Sequence, residues 1–374
     1  MRWLFWGSAF LVAYTYLGYM GWLWLQSLIW PWPVLRSRQE PYVSVVMVVR
    51  NEERWLERKM QNLLQLDYPQ ELYQVVVVSD GSTDSTESIL RRYASDPRVR
   101  VLMNQLSRGK ASGLNDAIAL AAGDVVVFTD ARQQIEHGAI RALMENFADP
   151  HVGCVSGALM LGDPGLGEAG QGMGMYWRIE KEIRELESES GSVVGATGAL
   201  YAVRRELLVP VPEGTILDDV YIPMQVVRQQ KRVVFEPLAK AWDIPDLGSG
   251  MEFARKVRTL SGNYQLVQLA PWILSRRNPL LWRFLSHKLL RLTVPFALTA
   301  MLAASLWLSG PLYRVALVLQ LCFYALALLA FARLPKLGLI GRVADAAGTF
   351  VLLNTAAVVA FANFVAGRKA AWSR

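Results

Sequence analysis

The residues that could do chemistry stand where short apolar runs end. Asp80 closes the run in Val-Val-Ser-Asp-Gly-Ser-Thr-Asp (77–84), and Asp130 closes Val-Val-Val-Phe-Thr-Asp (125–130). Asn51 and Glu52 follow a third run at 43–49, so four polar side chains gather around one crevice if the runs are neighbouring strands. Gly81 permits a tight turn that leaves Asp80 at the strand end. A plain turn, with Asp84 or Ser82 capping the next helix, accounts for the same residues and leaves Asp80 free. An acidic residue at the end of a parallel strand is a natural ligand for Mg²⁺ or Mn²⁺ bridging a diphosphate. Soft ligands are missing: Cys154 and Cys322 are the two cysteines, the second inside an apolar run, and His137, His151 and His287 are scattered. A disulfide framework or thiolate zinc site is therefore excluded, and any metal must be a hard, oxygen-bound one.

Placing those side chains together requires a sheet. The spacing predicts strands at 43–49, 75–78, 99–103 and 125–129, alternating with helices at 52–64, from about 84, and at 110–121. Runs of continuous valine separated by helices imply a mostly parallel α/β sheet covered on both faces. Such sheets bind ligands at the carboxyl ends of their strands.

The rest of the 374 residues point to a bilayer. Hydrophobic residues make up 53% of the chain and charged ones 19%, with a net charge of +7. A membrane protein with a sizeable soluble part fits that mixture. Residues 3–35 carry no charge and hold Trp3, Trp6, Trp22, Trp24, Trp30 and Trp32 near the two ends, as interfacial belts require. A cleaved signal peptide would be shorter and followed by a small-residue cleavage site. Uncharged runs at 292–313, 315–332 and 346–367 predict three further spans. The expected domains are a transmembrane helix at 1–35, a soluble domain at 36–250, amphipathic interfacial helices at 251–291, and three spans within 292–374. Arg36, Arg38, Arg276, Arg277, Arg283, Lys288 and Arg291 flank the soluble domain and place it in the cytosol. Arg333, Lys336 and Arg342 agree with that topology, whereas Arg368, Lys369 and Arg374 in the tail conflict with it. Basic residues interleaved with aromatics before a span favour lipid as the partner and leave no role for nucleic acid.

In order, Val-Arg-Asn-Glu-Glu (49–53), Ser-Asp-Gly-Ser-Thr-Asp (79–84), Arg-Gly-Lys (108–110), Phe-Thr-Asp-Ala-Arg (128–132), Ala-Thr-Gly-Ala (196–199) and Leu-Asp-Asp (217–219) resemble the family two glycosyltransferases of GT-A fold. The similarity covers 41 to about 265 and is greatest to the membrane-embedded branch that includes cellulose, chitin and hyaluronan synthases. The resemblance implies that Asn51, Glu52, Asp80 and Lys110 hold the nucleotide of a UDP-sugar. It also implies that Asp130 leads a metal-binding Asp-X-Asp for Mg²⁺ or Mn²⁺, that Thr197, Gly198 and Asp218 shape the donor and acceptor pocket, and that Asp219 is the catalytic base. Arg258, in Arg-Lys-Val-Arg-Thr, takes the place of the Arg in Gln-X-X-Arg-Trp and neutralises the diphosphate. One base opposite the leaving group gives inversion in a single displacement.

Two departures shape the expectation. Arg132 replaces the second Asp of Asp-X-Asp, which weakens the metal site and offers a direct phosphate contact. Arg255 and Thr259 replace the Gln and Trp of Gln-X-X-Arg-Trp, and threonine cannot stack on an acceptor sugar. Four spans are also few for a polymer channel in one subunit. The sequence thus predicts an integral membrane enzyme of the bacterial inner membrane, transferring a hexosyl or N-acetylhexosaminyl group to a lipid-linked or envelope glycan acceptor. A processive polysaccharide synthase is the alternative within the class, and a catalytically inactive scaffold or export partner the one outside it. A homo-oligomer or a separate export partner is compatible with either. Competing motifs fail: a phosphate loop needs glycine at Asn104 and a hydroxyl at Ala111, and Gly172-Met-Gly174 lacks the third glycine of a dinucleotide site at Trp177. The stretch 175–189 is expected to be a surface helix packed by one face, with acceptor contact as the alternative.

Overall fold

The computed structural model describes residues 1–162, 175–243, 249–332 and 338–368; Gly172-Met-Gly174, Arg333, Lys336, Lys369 and Arg374 lie outside them. The chain forms two units. One contains 23–247 and 266–281, the other 1–22, 248–265 and 282–370.

Two helices open the chain, α1 (Arg2–Ala13) and α2 (Tyr19–Ile29), joined by a π-helical turn at Tyr14–Gly18. Together they run for 28 residues, roughly 42 Å at the α-helical rise, although each alone is too short to span a bilayer.

The strand-bearing unit follows in the expected order: β1 (Val43–Val49), α3 (Glu53–Leu64), β2 (Tyr73–Asp80), α4 (Thr86–Tyr93), β3 (Val99–Asn104), α5 (Lys110–Leu120) and β4 (Val125–Thr129). It continues through β5 (Gln134–Ile135), α6 (Ala139–Glu145), β6 (Val152–Leu161), α7 (Met175–Glu189), β7 (Leu200–Arg204), α8 (Asp218–Arg228) and β8 (Arg232–Asp243). The eight strands form one sheet in the order β3-β2-β1-β4-β7-β6-β8-β5. The first four are mutually parallel, β7 runs antiparallel between β4 and β6, and β6 pairs with β8 in parallel. This is a GT-A-type α/β sheet, mostly parallel, with β7 and the two-residue β5 reversed.

Every residue of β1, β2 and β4 is buried, which explains their continuous valine: each side chain meets a helix layer whichever way it points. Val43, Val45 and Met47 face a core completed by Leu56, Met60 and Leu63 of α3 and Ile140 and Leu143 of α6. α5 lies on the opposite face so closely that a methyl group on Gly113 would sit 2.7 Å from Val48 Cγ1.

The other unit contains α9 (Ser249–Leu269), α10 (Leu281–Phe284), α11 (Leu290–Trp307), α12 (Pro311–Phe331) and α13 (Gly338–Val365). Among the described residues, three helical runs, Leu281–Trp307, Pro311–Phe331 and Ile340–Val365, are long and apolar enough to cross a membrane. The first differs from the expected 292–313. It begins eleven residues earlier, through α10 and a π turn, and ends where Gly310 (φ 133) and Pro311 at the start of α12 break the helix. α12 and α13 approach closely at Gly348, where a methyl group would lie 2.8 Å from Ala330 Cβ. Tyr14 and Ser286 hydroxyls bond at 2.9 Å where the N-terminal segment packs on the C-terminal helices.

Candidate functional site

Parallel strands with a common direction deliver their following loops to one edge, so Asn51, Glu52, Asp80 and Asp130 meet there. The loops after β1 and β2 are tied to each other. Asn51 adopts φ 53, and its Oδ1 accepts the Thr83 amide at 2.8 Å; the Asn51 amide donates to Ser82 Oγ at 3.2 Å. The Glu53 amide donates to Asp84, whose other oxygen takes the Thr86 amide, and the Ser85 amide returns a bond to Glu53. Asp84 therefore does the capping that leaves Asp80 for other work.

Asp80 is fully buried. Its carboxylate accepts Ser107 Oγ at 2.7 Å and the amides of Arg108 and Gly109 at 2.8 and 2.9 Å, fixing the turn that leads into α5. Gly81 (φ 64) is required in this fold, since a Cβ would lie 2.5 Å from the Ser107 nitrogen. Glu52 is partly buried beside Asp130 and Asp84. Burial first, then those like charges against the pull of Arg132, pushes its carboxyl up to about 7.

Lys110, at the first position of α5, reaches across the edge to Asp130 Oδ1 at 3.0 Å and Asp218 Oδ2 at 3.2 Å. Burial acts to remove its proton, but Asp130, Asp218 and Asp219 outweigh it and raise the lysine well above its ordinary value. The ammonium is the cation of a three-carboxylate cluster. Asp218 and Asp219 open α8, and Asp218 is buried. A methyl group on Gly198 would stand 3.4 Å from Asp219 Oδ2 and 3.7 Å from Asp130 Oδ2, so Gly198 floors the space between these two carboxylates. Thr197 beside it is buried, its amide bonded to Ser156 Oγ at 3.1 Å.

Arg132 points to Asp243 at the end of β8, 3.4 Å away. Among the described residues no group of three His, Cys, Asp or Glu side chains is placed to hold a metal by itself. Asp130, with one oxygen committed to Lys110 and a side chain 41% exposed, offers one hard ligand. That set suits an ion that shares its coordination with a bound diphosphate, as Mg²⁺ commonly does. Arg258 stands on α9, in the other unit.

Three participants were not foreseen: Asp243, Lys59 and Tyr201. Lys59 is buried behind Asp130, donating to Thr129 Oγ1 at 2.8 Å and the Gln133 carbonyl at 2.7 Å, the two ends of the Asp130 loop. Burial pulls its ammonium down to about 7, with Asp130 opposing. The signal was present in the pattern, since Lys59 occupies the apolar face at Leu56, Met60 and Leu63. Tyr201 stacks on Phe128, ring centroids 4.6 Å apart.

Residues 44–209 match the family model for Glycosyl transferase family 2. A poly-beta-1,6-N-acetyl-D-glucosamine synthase of Staphylococcus aureus (strain COL) is 24% identical over 234 residues, 60% of this chain and 55% of that one. A beta-monoglucosyldiacylglycerol synthase of Synechocystis sp. is 27% identical over 199 residues, 52% of this chain and 42% of that one. The chain thus spans about half the length of these curated relatives. Among solved structures, a mannosyltransferase from Pyrobaculum calidifontis, in complex with GDP-Man and Mn²⁺, superposes with a TM-score of 0.73 at 24% identity, over 97% of this chain and 99% of that one. That likeness extends the shared fold beyond the family domain.

Proposed function

We propose that this chain, whose residues 44–209 match the family two glycosyltransferase model, is an inverting membrane glycosyltransferase that moves a sugar from a UDP-sugar to a lipid-linked or envelope glycan acceptor. The observation that carries this reading is the meeting of Asp130, Lys110, Asp218 and Asp219 around Gly198. A displacement at the anomeric carbon needs a base for the incoming hydroxyl and cations for the departing diphosphate, and both are supplied within this cluster.

In this mechanism Asp219 takes the proton of the acceptor hydroxyl as it attacks, and UDP leaves from the opposite face. Lys110 exchanges part of its pairing with Asp130 and Asp218 for the diphosphate. Arg258 is assigned the diphosphate from its place in the sequence motif, and Arg132 stands ready to add charge from beside Asp130. Asn51 and Glu52 line the nucleotide side, while Asp80 holds the 107–109 turn against it. A Mg²⁺ or Mn²⁺ ion shared between Asp130 and the donor would offset the charge developing on UDP. Thr197 and Gly198 keep the acceptor side narrow. The catalytic domain faces the cytosol of a bacterial inner membrane, with the N-terminal segment as a fourth crossing.

Addition of one or a few sugars is favoured over polymer synthesis, because Thr259 stands where a stacking Trp would hold the acceptor and donates its hydroxyl back to the Arg255 carbonyl at 3.0 Å. The name of the staphylococcal relative favours the polymer instead. Purified protein in defined lipid, given UDP-N-acetylglucosamine, UDP-glucose or GDP-mannose with lipid extract, should release UDP and yield products heavier by one or a few sugars. Release of nucleotide from GDP-mannose alone would replace the donor, and a high-molecular-mass polymer would replace the mode of addition. No release from any donor would overturn the reading. Excess chelator should abolish turnover; full turnover without metal would leave the diphosphate to the arginines and Lys110.

A further inference from the structure

Tyr201 lies in β7 opposite Phe128 of β4, two residues before Asp130. Side chains two apart share a sheet face, so Tyr201, Phe128 and the direction of Asp130 belong to one side. The residue is wholly buried, and its hydroxyl has no hydrogen-bond partner among the described residues. Burying a hydroxyl without a partner costs stability, so such a group calls for an explanation. Burial foremost, then the charges of Asp218, Asp219 and Asp130, holds the phenol protonated, which keeps it a donor and puts these carboxylates within electrostatic reach.

Asp218 is the carboxylate with most to lose. It is buried and its ammonium partner, Lys110, is shared with Asp130. A diphosphate drawing on Lys110 leaves Asp218 short of a donor beneath the reacting centre. We propose that the Tyr201 hydroxyl is the second donor for Asp218, engaged when the donor diphosphate takes up Lys110, and that it thereby positions the Asp218–Asp219 turn for transfer. The inference rests on the function proposed above and makes Tyr201 a positioning residue that acts through the carboxylates.

Tyr73 supplies the control. It too is a buried phenol with an unpartnered hydroxyl, but it opens β2, seven residues from Asp80 at the other end of that strand. Tyr201→Phe and Tyr73→Phe each remove one oxygen from an unsatisfied site, so neither should lower the unfolding temperature of the purified protein in lipid. UDP release then separates them. Tyr201→Phe should lower kcat by roughly tenfold with the KM for UDP-sugar within about twofold, while Tyr73→Phe should match the wild type in both. Wild-type kcat in Tyr201→Phe, or an equal loss in both variants, would overturn the inference. A clear drop in the unfolding temperature of Tyr201→Phe would do the same, because the hydroxyl would then have a structural partner in the resting fold. Failure of the wild type itself to release UDP would strike the proposed function and the inference together.

Discussion

The two halves of the strand edge are built on opposite terms. Around Asn51, Asp80 and Asp84 the hydrogen bonds close on each other: Asp80 alone takes three donors, and the loops after β1 and β2 exchange amides and carboxylates in both directions. Around Asp130 and Asp218 they do not. Two carboxylates share one lysine, Tyr201 and Gln133 keep unpartnered oxygens, and Lys59 is displaced to about 7, as is Glu52 between Asp84 and Asp130 where the halves meet. A surface that binds gains from being fixed beforehand, because no reorganisation is then needed on contact. A surface where charge must move holds groups short of their full complement until the reaction supplies it.

If that contrast is right, damage to the second half should appear in the rate and damage to the first half in binding. The largest effect is expected at Asp219. Replacing it with Asn keeps its size while removing the proton acceptor, and loss of a general base costs about 10²- to 10⁴-fold in rate. Asp219→Asn should therefore bind UDP almost as the wild type does yet transfer sugar at least about a hundredfold more slowly, with Asp218→Asn milder. Nucleotide binding by calorimetry alongside UDP release would decide it, and lost binding in Asp219→Asn would erase the distinction between the halves.

The displaced pair gives the next effect, in stability. Glu52 titrates near 7 in the fold against an ordinary 4.5. Between those values the unfolded chain gives up the proton while the fold keeps it, so stability falls as pH rises toward 7. Lys59 titrates near 7 against an ordinary 10.5, and over that range the unfolded chain holds the proton that the fold lacks, so stability rises with pH above 7. The two slopes meet in a trough near pH 7. Unfolding midpoints measured from pH 4.5 to 10.5 should show Glu52→Gln gaining on the wild type as pH rises from 4.5 toward 7, and Lys59→Met losing ground to the wild type as pH rises above 7. Parallel curves for wild type and variants would deny the imbalance.

A smaller effect is expected at Asp80. Its removal leaves Ser107, Arg108 and Gly109 without their acceptor, and the turn into Lys110 loosens. Asp80→Ala should raise the KM for UDP-sugar by roughly tenfold and leave kcat much closer to the wild type, consistent with lost binding rather than lost chemistry. The reverse split would place Asp80 with the reacting half.

The parallel strands beneath both halves were the legible part of the edge. β1 and β4 fall where the valine runs place them, at Val43–Val49 and Val125–Thr129, because a strand buried on both faces leaves an unbroken apolar signal. β6, β7 and β8 gave no comparable signal. β8 carries Arg232, Glu236, Pro237 and Lys240, and its burial is satisfied by partners far away in sequence, such as Arg36 and Asn146 on Glu236. Motif order located Asp130, Asp218 and Asp219, but only their placement in space reveals the shared lysine. Lys59 lies on the apolar face of α3, yet its neighbours Glu57 and Arg58 suggest solvent, and its burial depends on the Thr129 and Gln133 groups that receive it far along the chain.

Asn51 makes the finest test, because its two contributions can be separated. Its φ of 53 lies in the left-handed region, where asparagine and glycine are tolerated and a residue with an ordinary Cβ is strained by about 1–2 kcal/mol. Its Oδ1 also accepts the Thr83 amide and, at 3.3 Å, the Thr83 hydroxyl. Both bonds are exposed, so water replaces them when they are lost, and each contributes at the low end of the usual range, about 0.5 kcal/mol. Asn51→Gly removes the bonds and keeps the backbone at ease; it should cost less than about 1 kcal/mol and raise the KM for UDP-sugar only a few-fold. Asn51→Ala adds the strain and should be the less stable of the two by about 1 kcal/mol in denaturant unfolding. Equal stability of the two variants would mean that the turn relaxes out of the left-handed region at no cost, and the nucleotide half would then be less rigid than its hydrogen bonds indicate.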